Sequence, residues 1–315
     1  MSTVLAGLEP IELEGGGQLP VHIAFRRIGF GSTRILLLHA LTGGPWPDGE
    51  GGYWAPLFGA GAPLDPQAVT VWAPNIPGSC YGSVGPEDLQ PFPNLTPRDQ
   101  AGALARWIES EGLHFDALVG GSLGGMVALE LALLLPGRFA RVGVIGCGAR
   151  SDAWIWGTHA IQRNILESEL PDSEAIALAR HAAMLTFRAP AGLNARFREA
   201  SDIQDWLGHH GEALAGRFTR AAYLVLLSAM DAHDIGRGRG GTLQALKGLP
   251  APLHILGLTS DTLFTPPRIL ELAHAAEAAG NPGNLRWVTS PHGHDAFLLE
   301  WAQVTTWLKA ILPPA

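Results

Sequence analysis

Lysine is almost missing from this 315-residue chain: Lys247 and Lys309 are the only two, and the rest of the positive charge is arginine. The formal net charge is -8 and no run of basic residues occurs. Phosphate neutralisation needs clustered cations, so a nucleic-acid surface is excluded. Cysteine is as scarce. Cys80 and Cys147 cannot make a disulfide framework and stand in no metal-type spacing, which leads us to expect a reducing, cytoplasmic setting. No apolar run approaches the roughly 20 residues of a membrane span, and residues 1–17 carry neither a basic start nor an apolar leader stretch, so a soluble protein is expected. The chain has no H-E-x-x-H motif and no cysteine cluster, and no metal is expected. Its 40 glycines and 24 prolines are spread without a period, which excludes collagen-like and solenoid repeats.

What the chain does have is apolar substance: 47% hydrophobic against 16% charged residues, enough for a large core. Short runs rich in Val, Ile and Leu recur at 21–28, 34–39, 68–73, 117–120, 141–145, 253–258 and 285–288. Several are apolar at consecutive positions, as strands buried on both faces must be. Helical stretches alternate with them. Thr96-Pro97-Arg98-Asp99 reads as a helix start, with Thr as N-cap and Pro in the first turn. Residues 123–134, 267–279 and 295–312 supply further helices. This alternation predicts a mostly parallel sheet flanked by helices. From Ser151 to about Arg239 helical patterns run without a strand. We therefore expect a core of residues 1–150 and 240–315, with residues 151–239 inserted as a helical cap above the carboxyl edge of the sheet.

The strongest local signal is Gly120-Gly121-Ser122-Leu123-Gly124, which follows an apolar strand and opens an apolar helix. That is G-x-S-x-G in its required context and predicts an α/β-hydrolase fold with Ser122 as nucleophile. A glycine-rich packing turn with an ordinary serine is the alternative. A serine nucleophile needs a base, and the base an orienting carboxylate, in the chain order Ser, acid, His. Asp261 follows the strand at 253–258, and His294 follows the last strand. Asp261 could instead merely cap a turn, and His292 could replace His294. The oxyanion hole is expected from the backbone amides of Leu123 and of Leu41, the latter in His39-Ala40-Leu41-Thr42-Gly43-Gly44. His39 is read as an anchor for that loop. Gly236-Arg237-Gly238-Arg239-Gly240-Gly241 formally matches a dinucleotide fingerprint, but polar residues 231–234 lead into it where a strand end is required. A glycine-rich return from the cap is the better reading, with Arg237 and Arg239 as candidate contacts to coenzyme phosphates.

With these residues on the page, the chain resembles the homoserine O-acetyltransferase family. The similar segments are His39–Gly43, Asn75–Pro86, Gly120–Met126, the H-D-x-G-R-G-R-G-G stretch at 233–241, Thr259–Asp261 and the G-H-D-A-F-L stretch at 293–298. The resemblance implies Ser122, Asp261 and His294 as the triad. It also implies substrate contacts for Arg180, suited to an α-carboxylate, for Asp295, suited to an ammonium group, and for Thr42 in the acceptor pocket. It implies acetyl-CoA (or another acyl-CoA) as cosubstrate, L-homoserine as acceptor, a ping-pong reaction, a homodimer and a place in methionine biosynthesis. A succinyl donor, a serine acceptor and a plain serine esterase are the alternatives. Phe187 departs from the family pattern, standing where many members have a tyrosine.

Overall fold

The computed structural model describes residues 3–313. Eight strands form one sheet in the order β1-β2-β4-β3-β5-β6-β7-β8. They are β1 (Thr3–Glu12), β2 (Gln18–Gly29), β3 (Thr33–Leu38), β4 (Val69–Pro74), β5 (Ala117–Gly121), β6 (Val142–Ile145), β7 (Leu253–Leu258) and β8 (Asn284–Val288). All neighbours from β4 to β8 pair in parallel, whereas β1–β2 and β2–β4 are antiparallel. The N-terminal strand β1 is an addition to the sequence reading. It lies on the sheet edge, mostly exposed, and pairs with β2 through two register shifts.

The inner strands carry consecutive buried apolar residues, as at 35–38 of β3 and 142–145 of β6, because both faces are covered. On β3, Leu36 and Leu38 pack into one core while Ile35 and Leu37 pack into the other, as the alternation of side chains demands. Helices α1 (Pro97–Ser110), α2 (Leu123–Leu134) and α9 (Pro266–Ala278) cover the first face, and α10 (Trp301–Ile311) with Trp307 and Leu308 covers the second. Thr96 and Asp99 form a reciprocal capping box at the start of α1. The C-terminal segment differs from a single helix: a 3-10 turn over Gly293–Leu298 precedes α10. No helix among the described residues is long and apolar enough to cross a membrane.

Between β6 and β7 the chain leaves the sheet for five helices, α3 (Ala153–Leu166), α4 (Asp172–Phe187), α5 (Pro190–Arg196), α6 (Ala200–Ala215) and α7 (Arg220–Asp231), then returns through the short α8 (Thr242–Lys247). The neck of this excursion is tied by backbone bonds from Ser151 N–H to His233 C=O and from Ile235 N–H to Ala149 C=O. The glycine-rich return is fixed by charge. Glu130 of α2, only 2% exposed at its side chain, accepts from Arg98 at 3.0 Å and from Arg239 at 2.7 Å, while Glu14 accepts from Arg98 at 2.6 Å and from Arg237 at 2.7 Å. This corrects the assignment of Arg237 and Arg239 to coenzyme phosphates: carboxylates of the core already occupy both guanidiniums.

A buried ion loses more when its partner is deleted than the pair contributed, because the remaining charge stays desolvated. Truncation by Glu130→Ala, which leaves Arg239 without a carboxylate and Arg98 with Glu14 alone, is expected to cost about 3 kcal/mol. It would be read as a lower urea midpoint with an unchanged slope, and an unchanged midpoint would refute the account.

Candidate active site

Ser122 sits at the turn from β5 into α2 with φ 55° and ψ -124° and is the one non-glycine residue with positive φ among those described. Such a conformation costs on the order of 1–3 kcal/mol and persists only where the surroundings impose it. Here they do. A Cβ at Gly120 would lie 2.2 Å from the Gly124 carbonyl oxygen, and one at Gly124 would lie 2.4 Å from that of Leu38, so only glycine lets the strand, turn and helix close this tightly. The result presents the serine at the positive end of α2.

Asp261 lies in the turn after β7, buried. One carboxylate oxygen, Oδ1, accepts the amides of Leu263 at 2.8 Å and Phe264 at 2.9 Å; the other, Oδ2, is 2.7 Å from His294 Nδ1. The turn-capping role and the orienting role therefore coexist in one side chain. His294, in the 3-10 turn after β8, is buried among Phe187, Phe264 and Phe297, with ring centroids at 5.9, 5.4 and 5.7 Å. Its Nε2 is buried without a hydrogen-bond partner among the described residues. Burial works against the charged imidazole, but the charge and hydrogen bond of Asp261, with a further contribution from Asp295, outweigh it and raise the pKa above the ordinary histidine value. His292 is placed elsewhere, on a small separate cavity with Arg188 and Trp206.

A cavity of about 50 Å³ is lined by Ser122, His294, Ala40, Leu41, Thr42, Arg180, Phe187, Asp295, Phe297 and Leu298. Ser122, His294, Leu41, Thr42, Arg180 and Asp295 thus meet at one place although they come from four separate stretches of chain. Asp261 stands behind His294. The amides of Leu41 and Leu123 donate to no acceptor among the described residues. The Leu41 amide is held by its own peptide partner: the Ala40 carbonyl accepts from Gly43 N–H at 2.9 Å and from His39 Nδ1 at 2.8 Å. The Ile76 amide donates to His39 Nε2 at 2.9 Å, which puts the ring proton on Nδ1. Burial pulls the His39 pKa down to about 4, so the anchor stays neutral at physiological pH.

Arg180 projects from α4 and has no carboxylate within ion-pairing distance among the described residues; its guanidinium lies over the Phe187 ring, 5.1 Å from the centroid. Burial lowers its pKa, with Tyr223 and Asp295 acting in the opposite direction. A guanidinium held this way is a site for a carboxylate brought by a ligand. Asp295 accepts from Arg188 Nε at 2.9 Å through Oδ2. Two residues of this neighbourhood were not singled out from sequence, Arg188 and Arg217. Their partners lie 107 and 175 residues away, and no local signal marks them. Among the described residues, no group of three or more His, Cys, Asp or Glu is placed to hold a metal ion.

A strained serine opening a helix, a histidine bonded to an acid from the adjoining strand and two free amides define an α/β-hydrolase-type centre. The model of the Alpha/beta hydrolase family matches residues 35–306. Among curated relatives, the homoserine O-acetyltransferase of Thermus thermophilus is 39% identical over 95% of this chain and 88% of its own length, and that of Thermobifida fusca is 35% identical over 96% and 92%. The homoserine O-acetyltransferase structure from Staphylococcus aureus superposes with a TM-score of 0.86 at 25% identity, covering 98% of this chain and 94% of that one. Esterase E22 shares the fold at 18% identity, with a TM-score of 0.85 over 99% of this chain and 100% of that one. The chain belongs to the homoserine O-acetyltransferase family of α/β hydrolases.

Proposed function

We propose that the protein transfers an acetyl group from acetyl-CoA to the hydroxyl of L-homoserine through an acyl-Ser122 intermediate. The observation that carries this is Arg180: a guanidinium without a carboxylate partner among the described residues, on the cavity that Ser122 and His294 line. Simple ester hydrolysis has no use for it, whereas an amino-acid acceptor brings the carboxylate it lacks. Asp295 at the same cavity suits the ammonium group, and Thr42 lines that cavity as well.

In this reading His294 Nε2 takes the proton of Ser122, whose oxygen attacks the thioester carbonyl. The oxyanion is held by the Leu41 and Leu123 amides. The C–S bond breaks as the imidazolium returns its proton to the sulfur, and free CoA leaves. Homoserine enters; His294 removes its hydroxyl proton, the oxygen takes the acyl carbon, and Ser122 is regenerated with that proton. Residues 151–239 act as a cap over the core of residues 1–150 and 240–315, excluding the water that would otherwise intercept the acyl-enzyme. Exposed Trp154, Trp156 and Ile161 on α3 and Leu178 and Leu185 on α4 support a homodimer formed through this cap. The two free cysteines suit a cytoplasmic enzyme.

The test is CoA release from acetyl-CoA and succinyl-CoA, each with homoserine, with serine and with neither. Release from acetyl-CoA matched one to one by O-acetylhomoserine is expected; release independent of acceptor would make the protein an esterase. Replacement by Arg180→Ala should raise KM for homoserine roughly thirtyfold or more, since truncating a buried charge contact costs about 2–5 kcal/mol. An unchanged KM would remove Arg180 from the acceptor site.

A further inference from the structure

The cleft holds a second guanidinium that the reaction above does not use. Arg217, in the link between α6 and α7, pairs with no carboxylate among the described residues and lines, with Thr42, Gly43 and Arg180, a side cavity of about 160 Å³. That cavity shares Ala40, Thr42, Arg180, Phe297 and Leu298 with the one holding Ser122. Arg217 Nη1 donates to the Thr42 carbonyl at 2.7 Å and to the Tyr81 hydroxyl at 2.8 Å, and that hydroxyl donates to the Arg217 carbonyl at 2.9 Å. The side chain is exposed and fixed from one side.

On Tyr81 also packs Trp46, 44% exposed, with the two rings nearly perpendicular and their centroids 5.0 Å apart. Gly44 is what permits this arrangement, because a Cβ there would come within 2.7 Å of the Trp46 ring and 2.8 Å of Tyr81. A half-exposed indole has surface left on which a planar group can stack, and the guanidinium bonded to the same tyrosine supplies charge. The chain as a whole carries -8, so a polyanionic substrate meets general repulsion and needs a local cation to dock.

We propose that Trp46, Tyr81 and Arg217 form the docking ledge for the nucleotide end of the acyl-CoA donor, the indole stacking on the adenine and the guanidinium meeting the phosphates. The ledge starts at Thr42, on the wall of the reacting cavity, and leads outward, so the pantetheine arm can bring the thioester to Ser122 while the nucleotide stays at the rim. This inference rests on the acyl-CoA reading of the site and deepens it.

The experiment compares binding of coenzyme A and of pantetheine, which lacks the nucleotide, to the wild-type protein, to Trp46→Ala and to Arg217→Gln by calorimetry. The wild type should bind coenzyme A more tightly than pantetheine, and Trp46→Ala should weaken coenzyme A about tenfold while narrowing the gap between the two ligands, as loss of one base–aromatic stack predicts. Arg217→Gln should flatten the salt dependence of coenzyme A binding. If wild type holds both ligands equally, or if Trp46→Ala weakens both alike, the ledge is overturned, whatever the catalytic assay returns. Conversely, tight coenzyme A binding without acetyl transfer to homoserine would keep the ledge and reject the reaction.

Discussion

Substitution of Ser122→Ala should reduce acetyl transfer to homoserine at least about ten-thousand-fold, leaving only what the oxyanion amides and substrate positioning supply. The change removes one oxygen from a residue already buried, and it keeps the Cβ whose positive φ the turn tolerates. Stability should therefore hardly move, and the loss can be assigned to chemistry. The decisive measurement is mass spectrometry of protein incubated with acetyl-CoA in the absence of homoserine. Wild type should gain one acetyl group on the peptide containing Ser122, and the variant should gain none. An alanine variant that still turned over, or a wild-type label on another residue, would remove Ser122 from the nucleophile's place. Labelling distinguishes a ping-pong route from direct attack by homoserine on the thioester, which would leave the enzyme unmodified.

The residues that sequence brought to this site are those whose signals are local. Ser122 announces itself because strand, glycine turn and helix are contiguous, and the clashes avoided at Gly120 and Gly124 lie within the same few residues or on the adjoining strand. Asp261 and His294 were legible because each follows an apolar strand, and strands of a parallel sheet deliver their carboxyl ends to one edge. By contrast β1 went unseen. Its burial pattern is largely exposed and its pairing with β2 is broken by two register shifts, so no alternation survives along its ten residues. Helix α6 was equally hidden. It buries little beyond Trp206, Gly211 and Leu214, and of the two glycines that would argue against a helix, Gly211 is there because a Cβ would strike His181 and Ala177 of α4. Arg188 and Arg217 could not be found at all, since each is defined by a partner on a distant loop. Arg180 came from family resemblance alone, and its place on the cavity of Ser122 and His294, with no carboxylate partner among the described residues, is visible only in the folded chain.

Replacing Asp261 by asparagine should be nearly as damaging as losing the serine, with kcat down about ten-thousand-fold, and the surrounding turn explains why. The Leu263 and Phe264 amides both donate to Oδ1 of Asp261, so in Asp261→Asn they retain the amide oxygen and direct the NH2 group toward His294. An NH2 group donates, so Nδ1 must accept, and the single ring proton moves to Nε2, the nitrogen that has to receive the Ser122 proton. The pH profile supplies a second reading. Neutral imidazole is the active form, so kcat/KM falls as pH drops through the His294 pKa. Because Asp261 raises that pKa against the opposing effect of burial, the wild-type acid limb is expected above the ordinary value of about 6.5. Once the carboxylate is gone, burial remains, Asp295 alone resists it, and the limb of the residual activity should shift to lower pH. A variant whose limb stayed in place, with kcat reduced less than tenfold, would mean that Asp261 only caps its turn.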